Sequence, residues 1–190
     1  MSASPVTTAP LFGGAMSCAI PAEWVNVSEI RQVPDHQEVF FASNHPEQPC
    51  LVVEILEYQG EQPNDRVAAY LFDDLAESNG SAVSAFEPHS ISMQTETMIL
   101  CTGVGRQRIA MGPRGTFAPT AHQRTQDIRD VRIEVCVIRL PSVQTDMLLT
   151  LSSTILSNTS TTGEMDKSLS ESFRRMLSTF KIHEWSLFQG

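Results

Sequence analysis

Two carboxylates three residues apart, Asp35 and Glu38, are the side chains of this sequence whose types and spacing best suit joint action. Pro34 precedes them, fixes its own φ and favours extended backbone at Val33, so Asp35 should be presented on a stiff turn. Such a pair can serve as general acid and base, hold a cation, or grip Lys and Arg side chains of another protein. A structural role is equally open, with Asp35 in an Asx-turn and Glu38 beginning a strand.

The remaining chemical inventory argues against an enzyme. The sequence has no GxSxG elbow and no phosphate-binding loop, and the glycine-rich fragment at 103–105 has no Lys-Ser/Thr behind it. None of the histidines lies at metal-ligand spacing such as HxxxH, and no cysteine pairs with a nearby histidine. We therefore predict a binding protein without catalytic residues, metal or cofactor.

Charge is distributed unevenly along the chain. Residues 1–100 hold 14 acidic and 2 basic side chains, whereas residues 101–190 hold 8 acidic and 11 basic ones. Nucleic acid is a poor partner for the acidic half, because affinity for phosphates depends on cations. That half could instead steer a basic protein partner, although an acidic surface can also serve solubility alone.

Composition and length place limits on the class of protein. A chain of 190 residues with 41% hydrophobic and 18% charged residues suits one globular domain. The N-terminal residues lack the basic and apolar regions of a secretory signal, and no apolar run reaches the length of a membrane span. The four cysteines are far apart in apolar runs, which favours reduced, buried thiols and a location in the cytoplasm or nucleus.

Hydrophobic periodicity predicts alternating strands and two long helices. One helix is expected to begin at an Asn64 cap and end at Asn79-Gly80, and the other to span 164–180. Asn26 should cap a single helical turn. Strands are predicted over residues 15–20, 38–42, 50–57, 90–102, 131–140 and 146–155.

The fold predicted from this pattern is a sheet covered by helices on both faces. Residues 131–140 are apolar on both faces, which is typical of a central strand, and they should pair antiparallel with residues 146–155. Residues 1–9 should form a flexible tail before a single domain over 10–190. Residues 104–130, rich in Arg, Gly and Pro, should be a mobile loop or hairpin tip.

Four sequence blocks are distinctive: PLFGGA from Pro10, RQVPDHQEVF from Arg31, VIRLPSVQTDMLL from Val137 and the terminal segment from His183 to Phe188. Together they resemble the Ran guanine-nucleotide release factors, the Mog proteins of nuclear import. The resemblance implies an α+β fold, an α/β/α sandwich with a central, mainly antiparallel twisted sheet of about six strands, shared with PsbP-type proteins. Within the first block, Gly13 and Gly14 are expected to serve backbone geometry at the sheet edge rather than to contact a ligand.

The same resemblance implies a function. The chain would bind the small GTPase Ran as a monomer and promote guanine-nucleotide release in support of nuclear protein import. The matching VPDxQE motif implies partner-binding carboxylates at Asp35 and Glu38, with Arg31, Pro34 and Gln37 as lesser candidates. The alternative is a non-catalytic acidic adaptor or trafficking scaffold for another basic or membrane-associated protein.

Overall fold

Over its described residues, the chain folds into two antiparallel sheets with two α-helices. The structure is a computed structural model that describes residues 5–30, 32–81, 84–95, 97–111, 127–156 and 162–188. Its strands are β1 (Val6–Leu11), β2 (Met16–Pro21), β3 (Val25–Asn26), β4 (Gln37–Phe41), β5 (Cys50–Glu57), β6 (Ser84–Thr95), β7 (Met98–Met111), β8 (Asp127–Leu140), β9 (Thr145–Thr154) and β10 (Lys181–Ile182). The helices are α1 (Val67–Ser78) and α2 (Thr162–Thr179), with 3-10 turns at Phe12–Gly14, Val27–Glu29, Pro141–Val143 and Trp185–Phe188.

The larger sheet has seven strands in the order β3-β4-β5-β9-β8-β7-β6, and the smaller sheet has the order β1-β2-β10. Every pairing is antiparallel, including β8 with β9, where Cys136 lies opposite Leu149. The α+β class and the mainly antiparallel sheet are therefore confirmed. The main sheet has one strand more than expected, and the smaller sheet was not anticipated.

The two helices cover opposite faces of the larger sheet. Neighbouring residues of β8 show this most directly: Cys136 packs in the core cluster that contains α2, whereas Val137 packs in the cluster that contains α1. The apolar side chains that α2 contributes to its core cluster are buried, namely Leu169, Phe173, Met176 and Leu177, as is Phe180 just beyond the helix. Neither helix, over the part of the chain described, is long and apolar enough to cross a bilayer.

Helix α1 begins later than predicted, and Asn64 does not cap it but binds a buried arginine. The N-cap residue is Arg66, without a side-chain hydrogen bond, whereas the Asn64 side-chain oxygen accepts a hydrogen bond from Arg139 Nη1 at 2.7 Å. The buried Arg139 guanidinium also donates to the backbone carbonyls of Gln59 and Gln62 and faces Asp146. The connection between β5 and α1 is thereby fixed to the β8–β9 hairpin. The helix ends at an Asn79 C-cap followed by Gly80, as predicted.

Three other expectations need correction. The predicted single strand over 90–102 is two paired strands, the end of β6 and the start of β7, with a reversal between Thr95 and Met98. Within the predicted tail, residues 6–9 belong to β1, which pairs with β2 over its whole length. The two ends of the predicted 104–130 loop or hairpin tip are strand, because β7 extends to Met111 and β8 begins at Asp127. The tip between them lies outside the described residues, as do residues 1–4 and 157–161.

Candidate protein-binding surface

Asp35 lies in a tight turn at the entrance to β4. The backbone N–H of Gln37 donates to the Pro34 carbonyl at 2.9 Å, which closes the turn around Asp35 and His36. The His36 carbonyl accepts from the N–H of Ile55 in β5 at 2.9 Å, so the turn is attached directly to the sheet. We call residues 34–37 the acidic turn. Proline geometry and these two backbone bonds hold it rigidly, in agreement with the stiff turn expected from the sequence.

The Asp35 side chain is exposed, and no hydrogen bond or ion pair to its carboxylate is found within the described part of the chain. An exposed carboxylate on a rigid turn keeps its hydrogen-bonding capacity available for Lys or Arg of another molecule. Its presentation also lowers the ordering cost of association, because the backbone is already fixed. Pro34 is exposed beside it, whereas Arg31 lies outside the described residues.

Glu38, in contrast, is half-buried and engaged within the molecule. Its Oε1 accepts a hydrogen bond from the backbone N–H of Phe12 at 3.0 Å, and its Oε2 accepts from Asn26 Nδ2 at 3.2 Å. These bonds join β4 to the turn after β1 and to the edge strand β3. Each carboxylate oxygen can accept more than one hydrogen bond, so the internal bonds leave some capacity for a partner.

The turn held by Glu38 has an unusual backbone. Phe12, Gly13 and Gly14 all have positive φ, at 49°, 67° and 94°. Glycine adopts this region readily, whereas a bulky residue such as Phe12 does so only under constraint. The hydrogen bond from Phe12 N–H to Glu38 supplies such a constraint. The prediction that Gly13 and Gly14 serve backbone geometry is confirmed.

Gln37 and His36 share a neighbour on β5. Gln37 lies opposite Glu54 in the β4–β5 register, and its Nε2 donates to Glu54 Oε1 at 2.8 Å. His36 Nε2 lies 3.3 Å from the same oxygen, a contact that becomes an ion pair when the imidazole is protonated. The acidic turn is thus supported by a second carboxylate behind it, which adds negative charge to this edge of the sheet. Glu54, Asn26 and Phe12 were not identified from the sequence as parts of the site, since their contacts join segments distant in the chain.

The described residues contain no group of three His, Cys, Asp or Glu side chains placed to hold a metal ion. A groove of about 420 Å³ lies at the far end of the larger sheet, between α2 and strands β6 to β8. Its buried carboxylate, Glu134, is bonded to Arg132 and Ser170. The groove is separated from the acidic turn by the width of the sheet.

Comparisons with known proteins agree with the resemblance seen in the sequence blocks. A family model described as "Ran-interacting Mog1 protein" matches residues 9–154. The chain is 32% identical over 189 residues to a human protein named Ran guanine nucleotide release factor, covering 97% of each chain. It is 33% identical over 159 residues to the nuclear import protein mog1 of Schizosaccharomyces pombe, covering 79% of this chain and 77% of that protein.

A solved structure gives the same fold. The crystal structure of the Ran-binding protein Mog1p of Saccharomyces cerevisiae matches with a TM-score of 0.71, covering 98% of this chain and all of the other. Sequence identity in that match is 21%, so the likeness bears on the fold alone. It agrees with the α+β architecture and the open antiparallel sheet described above.

Proposed function

Because this chain belongs to the Ran-interacting Mog1 family, we propose that it binds the small GTPase Ran and promotes release of its guanine nucleotide. The observation that carries the proposal is a family match over residues 9–154 that includes the whole acidic turn. Relatives named Ran guanine nucleotide release factor and nuclear import protein support it. The protein would act as a monomer in the nucleus and cytoplasm, in support of nuclear import.

The proposed activity is regulation of a GTPase and needs no chemistry from this chain. A protein that binds nucleotide-free Ran more tightly than nucleotide-bound Ran weakens nucleotide binding by the same ratio. A coupling free energy of about 4 kcal/mol corresponds to roughly a thousandfold weaker nucleotide binding. Since coupling is reciprocal, nucleotide should displace this protein from Ran by an equal factor.

We assign Asp35 to direct contact with a basic side chain of Ran. Its carboxylate is exposed and held on a rigid turn, which favours a charge-assisted hydrogen bond formed without a large ordering cost. Pro34 maintains that rigidity. Gln37 supports the turn through its bond to Glu54. Arg31 is a further candidate contact on the same segment.

We assign Glu38 both a structural role and a binding role at the same surface. Its hydrogen bonds to Phe12 N–H and Asn26 Nδ2 hold the flanking segments in place. Its remaining acceptor capacity and its negative charge reinforce the acidic turn toward a basic partner. Loss of Glu38 would therefore weaken binding both directly and through the shape of the surface.

The test is release of a fluorescent guanine nucleotide from purified Ran as this protein is titrated in. The wild-type chain should accelerate release, and the double variant Asp35→Ala with Glu38→Ala should not. Asp73→Ala removes an exposed carboxylate from α1 and serves as the matched control, which should retain full activity. Acceleration by the double variant equal to that of wild type would contradict the site assignment.

The same titration distinguishes the proposed function from the adaptor alternative. Ran binding without accelerated release would leave a Ran-sequestering protein. Absence of Ran binding would contradict the proposed function and favour an adaptor for another basic or membrane-associated protein. Binding is measured independently of release, with immobilised Ran.

A further inference from the structure

Ile30 is the most exposed of the large hydrophobic side chains in the described part of the chain, at 72%. The other exposed ones are Val25, Tyr70, Ile91, Ile128 and Leu187, at 42–57%. A single exposed apolar side chain needs no explanation on its own. The position of Ile30 next to the acidic turn is what gives it significance.

Ile30 is held at that position by a well-bonded turn. Asn26 caps the Val27–Glu29 turn by accepting from the N–H of Ser28 at 2.9 Å, and the N–H of Ile30 donates to the Val27 carbonyl at 3.0 Å. The Ser28 hydroxyl accepts from the N–H of Val39 in β4 at 2.9 Å. The turn is therefore attached to the same strand that the acidic turn enters.

Residues on either side of Ile30 and Asp35 are fixed to β4. Ser28, two residues before Ile30, accepts from the N–H of Val39 in β4, and Gln37, two residues after Asp35, begins β4. Ile30 and Asp35 therefore belong to one short stretch of sequence whose two ends are held at the same strand. Val25, 46% exposed on the edge strand β3, precedes the same turn.

We propose that Ile30 is an apolar anchor of the partner-binding surface and fills an apolar pocket beside the basic side chain that pairs with Asp35. This inference rests on the proposed function and names the kind of surface that the partner must offer. Exposed ion pairs contribute little affinity by themselves, whereas a buried apolar side chain at the centre of an interface contributes much of it. Protein interfaces commonly have an apolar centre and a polar rim, and a charged residue beside an apolar anchor fits that arrangement.

The test compares Ile30→Ala with Ile128→Ala, which alters an isoleucine of similar exposure on β8. Affinity for purified Ran should fall by about 10- to 100-fold for Ile30→Ala, as expected for loss of a buried aliphatic side chain, and should not change for Ile128→Ala. Ile30→Leu should restore affinity to within a few-fold. Because the anchor is apolar, the loss should be the same at low and high salt, unlike the loss caused by Asp35→Ala.

The outcomes separate this inference from the function on which it rests. Wild-type affinity in Ile30→Ala, with weakened binding in Asp35→Ala, would overturn the anchor and leave the proposed function standing. Failure of the wild-type chain to bind Ran would overturn both. Unchanged thermal unfolding of Ile30→Ala is expected, because the side chain is exposed, and it ensures that lost affinity reflects lost contact.

Discussion

Phe12 and Glu38 are joined by a hydrogen bond of 3.0 Å from the backbone N–H of one to the carboxylate of the other, across 26 positions of sequence. Phe12 belongs to the turn between β1 and β2 of the smaller sheet, and Glu38 lies on β4 of the larger sheet. The carboxylate therefore ties the two sheets together next to the acidic turn. The second oxygen, bonded to Asn26, ties in the edge strand as well.

Replacing Glu38 should affect stability as well as binding. Glu38→Ala leaves the N–H of Phe12 and the amide of Asn26 without their acceptor, and we expect the free energy of unfolding to fall by about 1–3 kcal/mol. Hydrogen exchange at Phe12 should accelerate. Urea denaturation and amide exchange measure the two effects. Glu57→Ala, at an exposed position at the end of β5, is the matched control and should be within about 0.5 kcal/mol of wild type. If Glu38→Ala keeps full stability but loses binding, Glu38 acts only through direct contact with the partner.

Asp35→Asn should weaken association with the partner without changing stability. Its carboxylate is exposed and makes no described internal contact, so stability should be unchanged. Association with Ran should slow at low salt, because a negative charge that attracts a basic partner is lost. The difference from wild type should shrink as salt is added, which stopped-flow association measurements would detect. A difference independent of salt would argue that Asp35 acts through shape rather than charge.

The sequence predicted best those parts of the fold that depend on local pattern. The apolar runs of β8 and β9 and the buried stripe of α2 have periodicities that specify element and face together. The β6–β7 hairpin was missed because its reversal, between Thr95 and Met98, contains no glycine, proline or asparagine to indicate a turn. Asn64 has the residue type of a helix cap but is used by Arg139, 75 residues away.

The candidate site was likewise predicted only where it depends on neighbouring residues. Asp35 on a proline-stiffened turn follows from neighbouring residues, whereas the bonds of Glu38 to Phe12 and Asn26 depend on tertiary pairing that periodicity does not encode. The fragment at 103–105 is a similar case. Its glycines lie within β7, where the ring of Phe86 packs against Gly103 and the ring of Phe72 packs against Gly105.

Gly105 should not tolerate even a methyl group. A Cβ built on Gly105 would overlap the ring of Phe72 and approach the Ala85 carbonyl oxygen to 2.7 Å. Phe72 is fully buried and packs against Phe86, with ring centroids 4.9 Å apart and the rings tilted by 33°, so it has little room to move. We expect Gly105→Ala to lower the free energy of unfolding by about 1–3 kcal/mol through overpacking. Gly60→Ala, where the added Cβ would lie 3.4 Å from Tyr58, is the control and should change stability much less in the same urea titration.

The buried ion pair of Arg139 and Asp146 should give stability a distinctive pH dependence. The two side chains are 2% and 0% exposed, with Nε 3.3 Å from Oδ1. Arg139→Met would leave a buried carboxylate without its cation, and breaking such a pair costs about 3–5 kcal/mol. Arg108→Met, which breaks an exposed pair with Asp130 at 3.0 Å, should cost less than about 1 kcal/mol.

The sign of the pH effect follows from the pKa of Asp146. Burial raises the pKa of its carboxyl in the folded protein, and the Gln59 N–H and Arg139 partly oppose the rise. A raised folded pKa means that the folded state binds the proton more tightly, so this stability is present below the unfolded pKa and is lost as pH rises through the folded pKa. Removing Arg139 removes an opposing interaction and raises that pKa further. The stability deficit of Arg139→Met should therefore be small in acid, where Asp146 is protonated and neutral, and should grow to its full size near neutral pH.

Urea denaturation of wild type and Arg139→Met across this pH range measures the deficit. A deficit that is constant, or larger in acid, would show that the charge of Asp146 is not the cause. Arg139 would then stabilise the fold through its bonds to Gln59, Gln62 and Asn64.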